Sequence, residues 1–411
     1  MNAQYELLAP AGNLEKLRTA IDYGADAVYT GGEAYSLRTA CENFSLDDLA
    51  KGVDYAKSYG KAVYLACNCF MRNRDLAEFP DFIAAAAQTG IDACILSDLG
   101  TLALVREHAP GLKVHVSTQA SVSNYAACMQ WMALGASRII LARELSLLEI
   151  SEIRRRVPES LELETFVHGA VCVSHSGRCL LSNYLTGRSS NLGDCAHSCR
   201  WKYALMEERR PSDFYPVLET DTGTFILNAK DLNMIRHLPE LMMAGVNSFK
   251  IEGRIKSEYY VASIVSAYRR AIDACVEDLN IYTENLDSYY AETCKVSHRA
   301  YHTGFFFDNP DGSGQQYENA AYIRDWEVAA RVVGYDAIRG LTACTQRNKI
   351  KQGDWLEALA PHAEPFSFQA KGMTDAEGRP IFSTPHAQMP FYMDIPKVLP
   401  KGTFLRKQTD L

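Results

Sequence analysis

The stretch Asn13-Leu-Glu-Lys-Leu-Arg-Thr-Ala-Ile-Asp-Tyr-Gly24-Ala-Asp-Ala27-Val-Tyr-Thr30 contains the fold in miniature. Asn13–Tyr23 reads as a helix and Ala27–Thr30 as a short apolar, β-rich run. Gly24 falls where the helix should stop, and glycine tolerates the left-handed cap found there. The same order of helix, glycine and strand recurs around Gly60, Gly90, Gly135 and Gly245.

Working outward, eight β-rich runs emerge: Tyr5–Ala9, Ala27–Thr30, Ala62–Cys67, Ala93–Ser97, Val114–Ser117, Ile139–Ala142, Leu163–His168 and Ser248–Glu252. Helix-like stretches lie between them at Asn13–Tyr23, Ser45–Tyr59, Glu78–Thr89, Leu99–His108, Val122–Leu134, Ser146–Arg155 and Leu232–Ala244, and Ser257–Cys275 follows the last run. Ser45, with Asp47 and Asp48 behind it, reads as a helix start, where the helix dipole favours acidic residues. Eight βα units predict an α/β chain folded as a TIM-like (β/α)8 barrel over residues 1–280. The rival is a doubly wound open sheet, but no Gly-rich phosphate fingerprint is present.

One unit is interrupted. Residues 169–231 separate the seventh strand from its helix, forming a Cys-rich insertion with two strand-like runs, Tyr203–Glu208 and Phe225–Asn228. An insertion after a barrel strand lies at the carboxyl mouth, where barrel chemistry occurs. After Cys275 the pattern changes. Glu284–Lys295 reads as a helix within a linking segment, 281–325, and Asn309–Gln316 is turn-rich. From 326 to 411 short strands are split by Gly and Pro: Val328–Tyr335, Gly340–Thr345, Asp354–Leu359, Phe366–Lys371, Met389–Asp394 and Thr403–Lys407. They predict a small all-β, barrel-like C-terminal domain.

Composition excludes several classes. The chain has 411 residues, 47% apolar and 22% charged, which rules out a disordered or fibrous protein. No run of about 18 uncharged apolar residues is present, so no membrane span is expected. Met1–Ala9 carries Glu6 and no basic start before an apolar run, which predicts a cytosolic protein. The net charge of −8 argues against nucleic-acid binding over the whole surface. Charge is uneven, though: from Arg331 onward 11 Lys and Arg face 8 Asp and Glu, a net of +3. A positive β-rich tail suits RNA, and suits equally a structural appendage.

Four cysteines stand in the insertion, Cys172, Cys179, Cys195 and Cys199, spaced by seven, sixteen and four. Twelve cysteines in all are too sparse for a disulfide scaffold, and clustered thiols in a reducing compartment read as metal or cluster ligands. Zinc and an iron–sulfur cluster both take four thiolates. The wide spacing suits the bulkier cluster better than a zinc ribbon. Cys67, Cys69, Cys94, Cys128 and Cys275 read as core, and Cys41 as a loop thiol at the mouth. His168, His175 and His197 leave a Cys–His nucleophile open, although four thiols are redundant for that.

Other strand ends supply polar groups to the mouth: Asn68, Ser117, Thr118 and Gln119, Arg143 and Glu144, and His168. On the last strand, outward Phe249 and Ile251 would turn Lys250 and Glu252 inward. Arg143, Lys250 and Arg254 then make a cationic mouth fit for a small dianion or a phosphate backbone. The bland alternative is a Lys250–Glu252 ion pair with Arg254 solvated at the rim. Tyr259 and Tyr260 read as helix packing.

Glu164 to Ser182 resembles the signature of the collagenase-like peptidase family U-32, with Glu164, Phe166, Gly169, Cys172, Gly177, Cys179 and Ser182 at its fixed positions. The resemblance extends through Leu8–Gly12, His115–Gln119, Leu141–Leu145, Leu227–Asp231 and Lys250–Arg254. One branch similar in length and tail makes 5-hydroxyuridine at the tRNA wobble position, depending on prephenate. A sister acts on 23S ribosomal RNA, and shorter relatives hydroxylate a ubiquinone precursor using a 4Fe–4S cluster. The resemblance therefore implies tRNA as partner, prephenate as co-substrate and a 4Fe–4S cluster, with zinc as the alternative metal. Cys172 and Cys179 match the signature cysteines, and Cys195 and Cys199 match a later pair seen in some relatives. Other relatives take a fourth ligand further downstream, where this chain has none before Cys275. Arg143, Lys250, Arg254, Asn68 and Gln119 are the candidate substrate-binding residues, and His168 and Glu252 the candidate catalytic ones. A peptidase, a hydroxylase of a small aromatic metabolite and a non-catalytic cluster protein remain alternatives.

Overall fold

The structure, a computed structural model, describes residues 5–36, 43–172, 174–179, 181–188, 190, 194–200, 219–220, 223–224, 229–308 and 322–409. Cys41, both strand-like runs of the insertion and Asn309–Gln316 lie outside the described residues.

The eight β-rich runs form strands β1 (Glu6–Pro10), β2 (Ala27–Gly31), β3 (Ala62–Ala66), β4 (Ala93–Leu96), β5 (Lys113–Val116), β6 (Arg138–Ile140), β7 (Glu162–Ala170) and β8 (Ser248–Ile251). Each pairs in parallel with the next, and β8 pairs with both β7 and β1. The ring is therefore closed, and the open-sheet rival is excluded. Helices cover its outside, several of them turning an apolar stripe inward. In the helix Leu14–Asp22, Leu17, Ala20 and Ile21 are buried while Asn13 caps the start, accepting a hydrogen bond from the Lys16 amide. Ser45 caps Leu46–Ser58 in the same way, as its sequence context predicts. Ser146 and Glu149 form a reciprocal capping box on Leu147–Arg156. The five helix-ending glycines all have positive φ. At Gly245 a side chain would also collide with Arg154. Among the described residues no helix is long and apolar enough to cross a membrane.

One expectation is corrected. Residues from Leu232 do not begin a helix: Asp231–Asn233 is a strand, and the helix runs Leu238–Met243. The cause is the length of β7. Glu164–His168 pairs with β8, while β7 runs on past the end of β8 and His168–Ala170 pairs antiparallel with Asn233–Asp231 as the insertion returns. Tyr301–His302 then adds in parallel to Asp231–Leu232.

The C-terminal part is a seven-stranded antiparallel sheet. Its edge strands, Phe366–Gln369 and Lys371–Thr374, are separated in the chain by Ala370 alone, so the sheet curls until its ends approach. It seats firmly on the barrel helices. Arg406 is fully buried, with its guanidinium on Glu292 at 2.6 Å, on Glu357, and on the Tyr259 hydroxyl and Ser263. The Tyr23 hydroxyl donates to the Leu359 carbonyl at 2.8 Å, and Leu359 and Phe404 join the barrel core. Tyr259 and Tyr260 are buried helix packing, as expected.

Candidate functional site

The site begins with charges held inside the barrel below it. Arg138, on β6, contacts Glu6 of β1, Glu164 of β7 at 3.0 Å and Glu162 at 2.7 Å. Glu164 in turn accepts from Lys250 of β8 at 2.8 Å. Two acids and two bases thus alternate upward from Glu6 to Lys250. Burial alone would raise the Glu6 carboxyl; the Arg138 charge and hydrogen bonds, with Tyr64 and Ser248, bring it below its ordinary value. Burial depresses the Lys250 ammonium despite Glu164. The bland reading of Lys250 is corrected in its partner, which is Glu164 and not Glu252.

Above Lys250 opens a cavity of about 220 Å³ at the carboxyl ends of the strands. Asn68, Gln119, Arg143, Lys250, Glu252 and Arg254 all line it. Lys250 lies over the rings of Tyr29 and Phe166, at 4.4 and 5.4 Å from their centres. Phe249 and Ile251 point away into the core, the alternation that turns Lys250 and Glu252 inward. Tyr29 donates to the Ile251 carbonyl at 3.0 Å and lies 3.3 Å from Glu252. Asn68 donates to Ser117 at 3.2 Å. Gln119 is buried, and its Oε1 has no hydrogen-bond partner among the described residues. Arg143 lies flat on Phe166 at 3.8 Å and donates to the Ala170 carbonyl. Arg254 is buried rather than solvated; it donates to Ser36 at 2.7 Å in a space kept open by Gly31, where a Cβ would lie 2.3 Å from its guanidinium.

His168 is not brought to this cavity. It is buried among Tyr260, Tyr268 and Tyr301, and burial pushes its imidazole down to about 3. That environment makes it a neutral packing residue instead of a candidate catalyst.

All four insertion cysteines line the same cavity. Ser176 donates twice to Glu144, from its amide at 2.6 Å and its hydroxyl at 2.8 Å. Arg178 donates to the Gln119 carbonyl at 2.8 Å. These bonds dock the turn between Cys172 and Cys179 against the ends of β5 and β6. The second pair is tied to the first: Ser182 accepts from the Ala196 amide at 2.9 Å, and Ser190 donates to the Cys179 carbonyl at 2.7 Å. Backbone amides approach two sulfurs, Leu181 on Cys179 and His197 on Cys195, each at 3.4 Å. Ser176 and His197 hold positive φ, which side-chain-bearing residues rarely adopt. In kind the donors fit a thiolate-ligated metal or cluster, and all four line one cavity. Among the described residues, however, no three His, Cys, Asp or Glu side chains already stand together as a cage.

Sequence reasoning missed Glu6, Arg138, Ser182 and Tyr29 as parts of this architecture. A signal existed for the first two: single charges at inward positions of apolar strands.

A parallel barrel whose mouth is fringed with thiols and cations is the class that fold and site define. The family model for Peptidase family U32 matches residues 12–316, and the one for its C-terminal domain matches 324–406. The chain belongs to this family. It is 37% identical over 403 residues to tRNA hydroxylation protein P1 of Bacillus subtilis, covering 98% of this chain and 94% of that one. It is 35% identical to tRNA hydroxylation protein P of Escherichia coli, covering 96% and 94%. A protein of Methanocaldococcus jannaschii named an uncharacterized protease is 43% identical over 82% of each chain.

Proposed function

We propose that this chain is a tRNA-modifying hydroxylase that makes 5-hydroxyuridine at the wobble position, with prephenate as co-substrate and a 4Fe–4S cluster on Cys172, Cys179, Cys195 and Cys199. The observation that carries this reading is the convergence of four insertion thiols on one cavity with Arg143, Lys250 and Arg254. The near full-length likeness to tRNA hydroxylation proteins supports the RNA substrate. Metal binding couples to folding, and binding would draw the four thiolates together. When bound, such a cluster supplies one-electron redox chemistry.

The chain's own groups do the rest. A wobble base, unstacked in its loop, can enter the mouth. The unpartnered Gln119 Oε1 would accept from a base N–H, and Asn68 would contact a polar edge. The cationic residues draw anions toward the mouth. The C-terminal sheet, with its net positive charge, would hold phosphates. This work belongs in the cytoplasm, where tRNA resides. The peptidase activity in the family's name would need one thiol or hydroxyl with a positioned base; four thiols sharing a wall are redundant for it.

The test is mass spectrometry of tRNA nucleosides from a deletion strain lacking any paralogue. Loss of 5-hydroxyuridine derivatives, restored by the wild-type chain and not by Cys179→Ala, is expected. Unchanged levels in the deletion strain would overturn the reading.

A further inference from the structure

A second cavity, of about 210 Å³, adjoins the first behind the stacked Arg143 and Phe166. Those two residues, with Val171, Cys172 and Ala229, line both. The second cavity lies against the outer side of β7, where Thr165 faces it, and Gly304, Phe305 and Phe306 close its far side. The Phe306 carbonyl fixes that closure by accepting from Leu147 at 2.9 Å.

Three features of its wall specify a ligand. Among the described residues no carboxylate lines it, whereas Arg143, Lys230 and His302 do. His302 Nδ1 accepts from the Gly304 amide at 2.9 Å, which puts the ring proton on Nε2. The Thr165 hydroxyl oxygen is buried and has no hydrogen-bond partner among the described residues, and a buried polar atom left so is costly unless something fills the place. The remaining wall is apolar and partly aromatic: Leu141, Phe166, Val171, Leu232, Phe305 and Phe306. Cationic donors and rings in one wall suit a small carboxylate that carries a hydrocarbon ring.

The first cavity suits such a molecule less well. Lys250 is already paired with Glu164, and Arg254 is held by Ser36. Lys230 has no carboxylate partner among the described residues.

We propose that the second cavity seats the ring-bearing carboxylate co-substrate. The carboxylates sit on Lys230, Arg143 and Thr165 and the ring on Phe305 and Phe306, leaving the first cavity to the base. Cys172 faces both cavities, so the two substrates meet across the same thiol wall. This rests on the proposed function only for the identity of the co-substrate; the chemistry of the site is its own.

The experiment is calorimetric titration of the full-length holo-protein with prephenate, beside tRNA modification by the same variants. Lys230→Met should weaken binding about tenfold or more, the loss of a charge-assisted hydrogen bond. The near-isosteric Thr165→Val should weaken it about threefold or more. Asn68→Ala should leave the prephenate Kd within about twofold and lower tRNA modification. Thr165→Val keeps the test valid should Lys230→Met fold poorly. If Asn68→Ala or Arg254→Lys weakens prephenate binding while Lys230→Met and Thr165→Val do not, the carboxylate sits in the first cavity and the inference falls. If the wild type binds no prephenate yet modifies tRNA, the inference falls and the hydroxylase reading stands. If the wild type binds prephenate with this pattern and modifies no tRNA, the hydroxylase reading falls and the site stands.

Discussion

Arg138 at the floor of the barrel and Gln119 at its mouth are both more than nine-tenths buried, yet they meet burial in opposite ways. Arg138 reaches three carboxylates, one of which, Glu164, also pairs with Lys250. Gln119 keeps an acceptor with no partner among the described residues, as Thr165 does behind it. Native structures satisfy nearly all buried polar atoms, so exceptions need a cause. The floor has its charges paired as it stands and holds the fold. The mouth keeps a buried acceptor that a bound molecule would pair.

Breaking the mouth should cost function and little fold; breaking the floor should do the reverse. The largest effect is expected from Cys179→Ala, which should abolish tRNA modification and strip bound iron while the circular dichroism spectrum stays unchanged. Retained iron with lost modification would move Cys179 out of the ligand set. Next is Arg138→Met. It leaves the Glu6 and Glu164 carboxylates without their main counter-charge and should destabilise the fold by about 3–5 kcal/mol in urea unfolding. A loss under about 1 kcal/mol would mean that Lys250 alone sustains the floor.

Acidity offers a graded version of the same comparison. His168 is held near 3, and His115 is likewise pushed well below its ordinary value, first by burial and then by Arg138 and Lys250. Below pH about 6.5 the unfolded chain binds protons that these native rings refuse. Their contribution is therefore full above that pH and falls toward the folded values. Between pH 6.5 and 5 each should remove about 2 kcal/mol, and His168→Phe should roughly halve the slope. An unchanged slope would mean that another group dominates. The lowered Glu6 and Glu357 act with the same sign but only below the ordinary carboxyl range. The smallest effect on stability belongs to Gln119→Met: under about 1 kcal/mol, because no hydrogen bond to its carbonyl oxygen is lost. Its tRNA modification should nonetheless drop about tenfold.

This contrast explains what the sequence made legible. The strand Ser248–Glu252 could be read down to the direction of Lys250, because alternation is a local property. The partner of Lys250 could not. Glu252 is two residues away in the chain, whereas Glu164 arrives through the β7–β8 pairing of strands 84 residues apart, Ser248 opposite Glu164. Arg138 was invisible for the same reason: it opens a three-residue strand, and its three carboxylates come from β1 and β7. The thiols were legible by their density, but what gathers them was not. Ser182, a fixed position of the family signature, reaches the Ala196 amide fourteen residues on, a bond no periodicity announces. Asp231–Asn233 misled because its apolar spacing continues a helix; only the overlong β7 makes it a strand.

The central claim is that the four thiols at the mouth hold iron. Anaerobic purification of the wild-type chain, followed by absorption spectroscopy and iron and sulfide analysis, tests it most directly. The protein should be brown, with broad visible thiolate–iron absorption and equal iron and acid-labile sulfide, both lost in Cys172→Ala, Cys179→Ala, Cys195→Ala and Cys199→Ala. Colourless protein carrying stoichiometric zinc, or iron that survives all four substitutions, would contradict it.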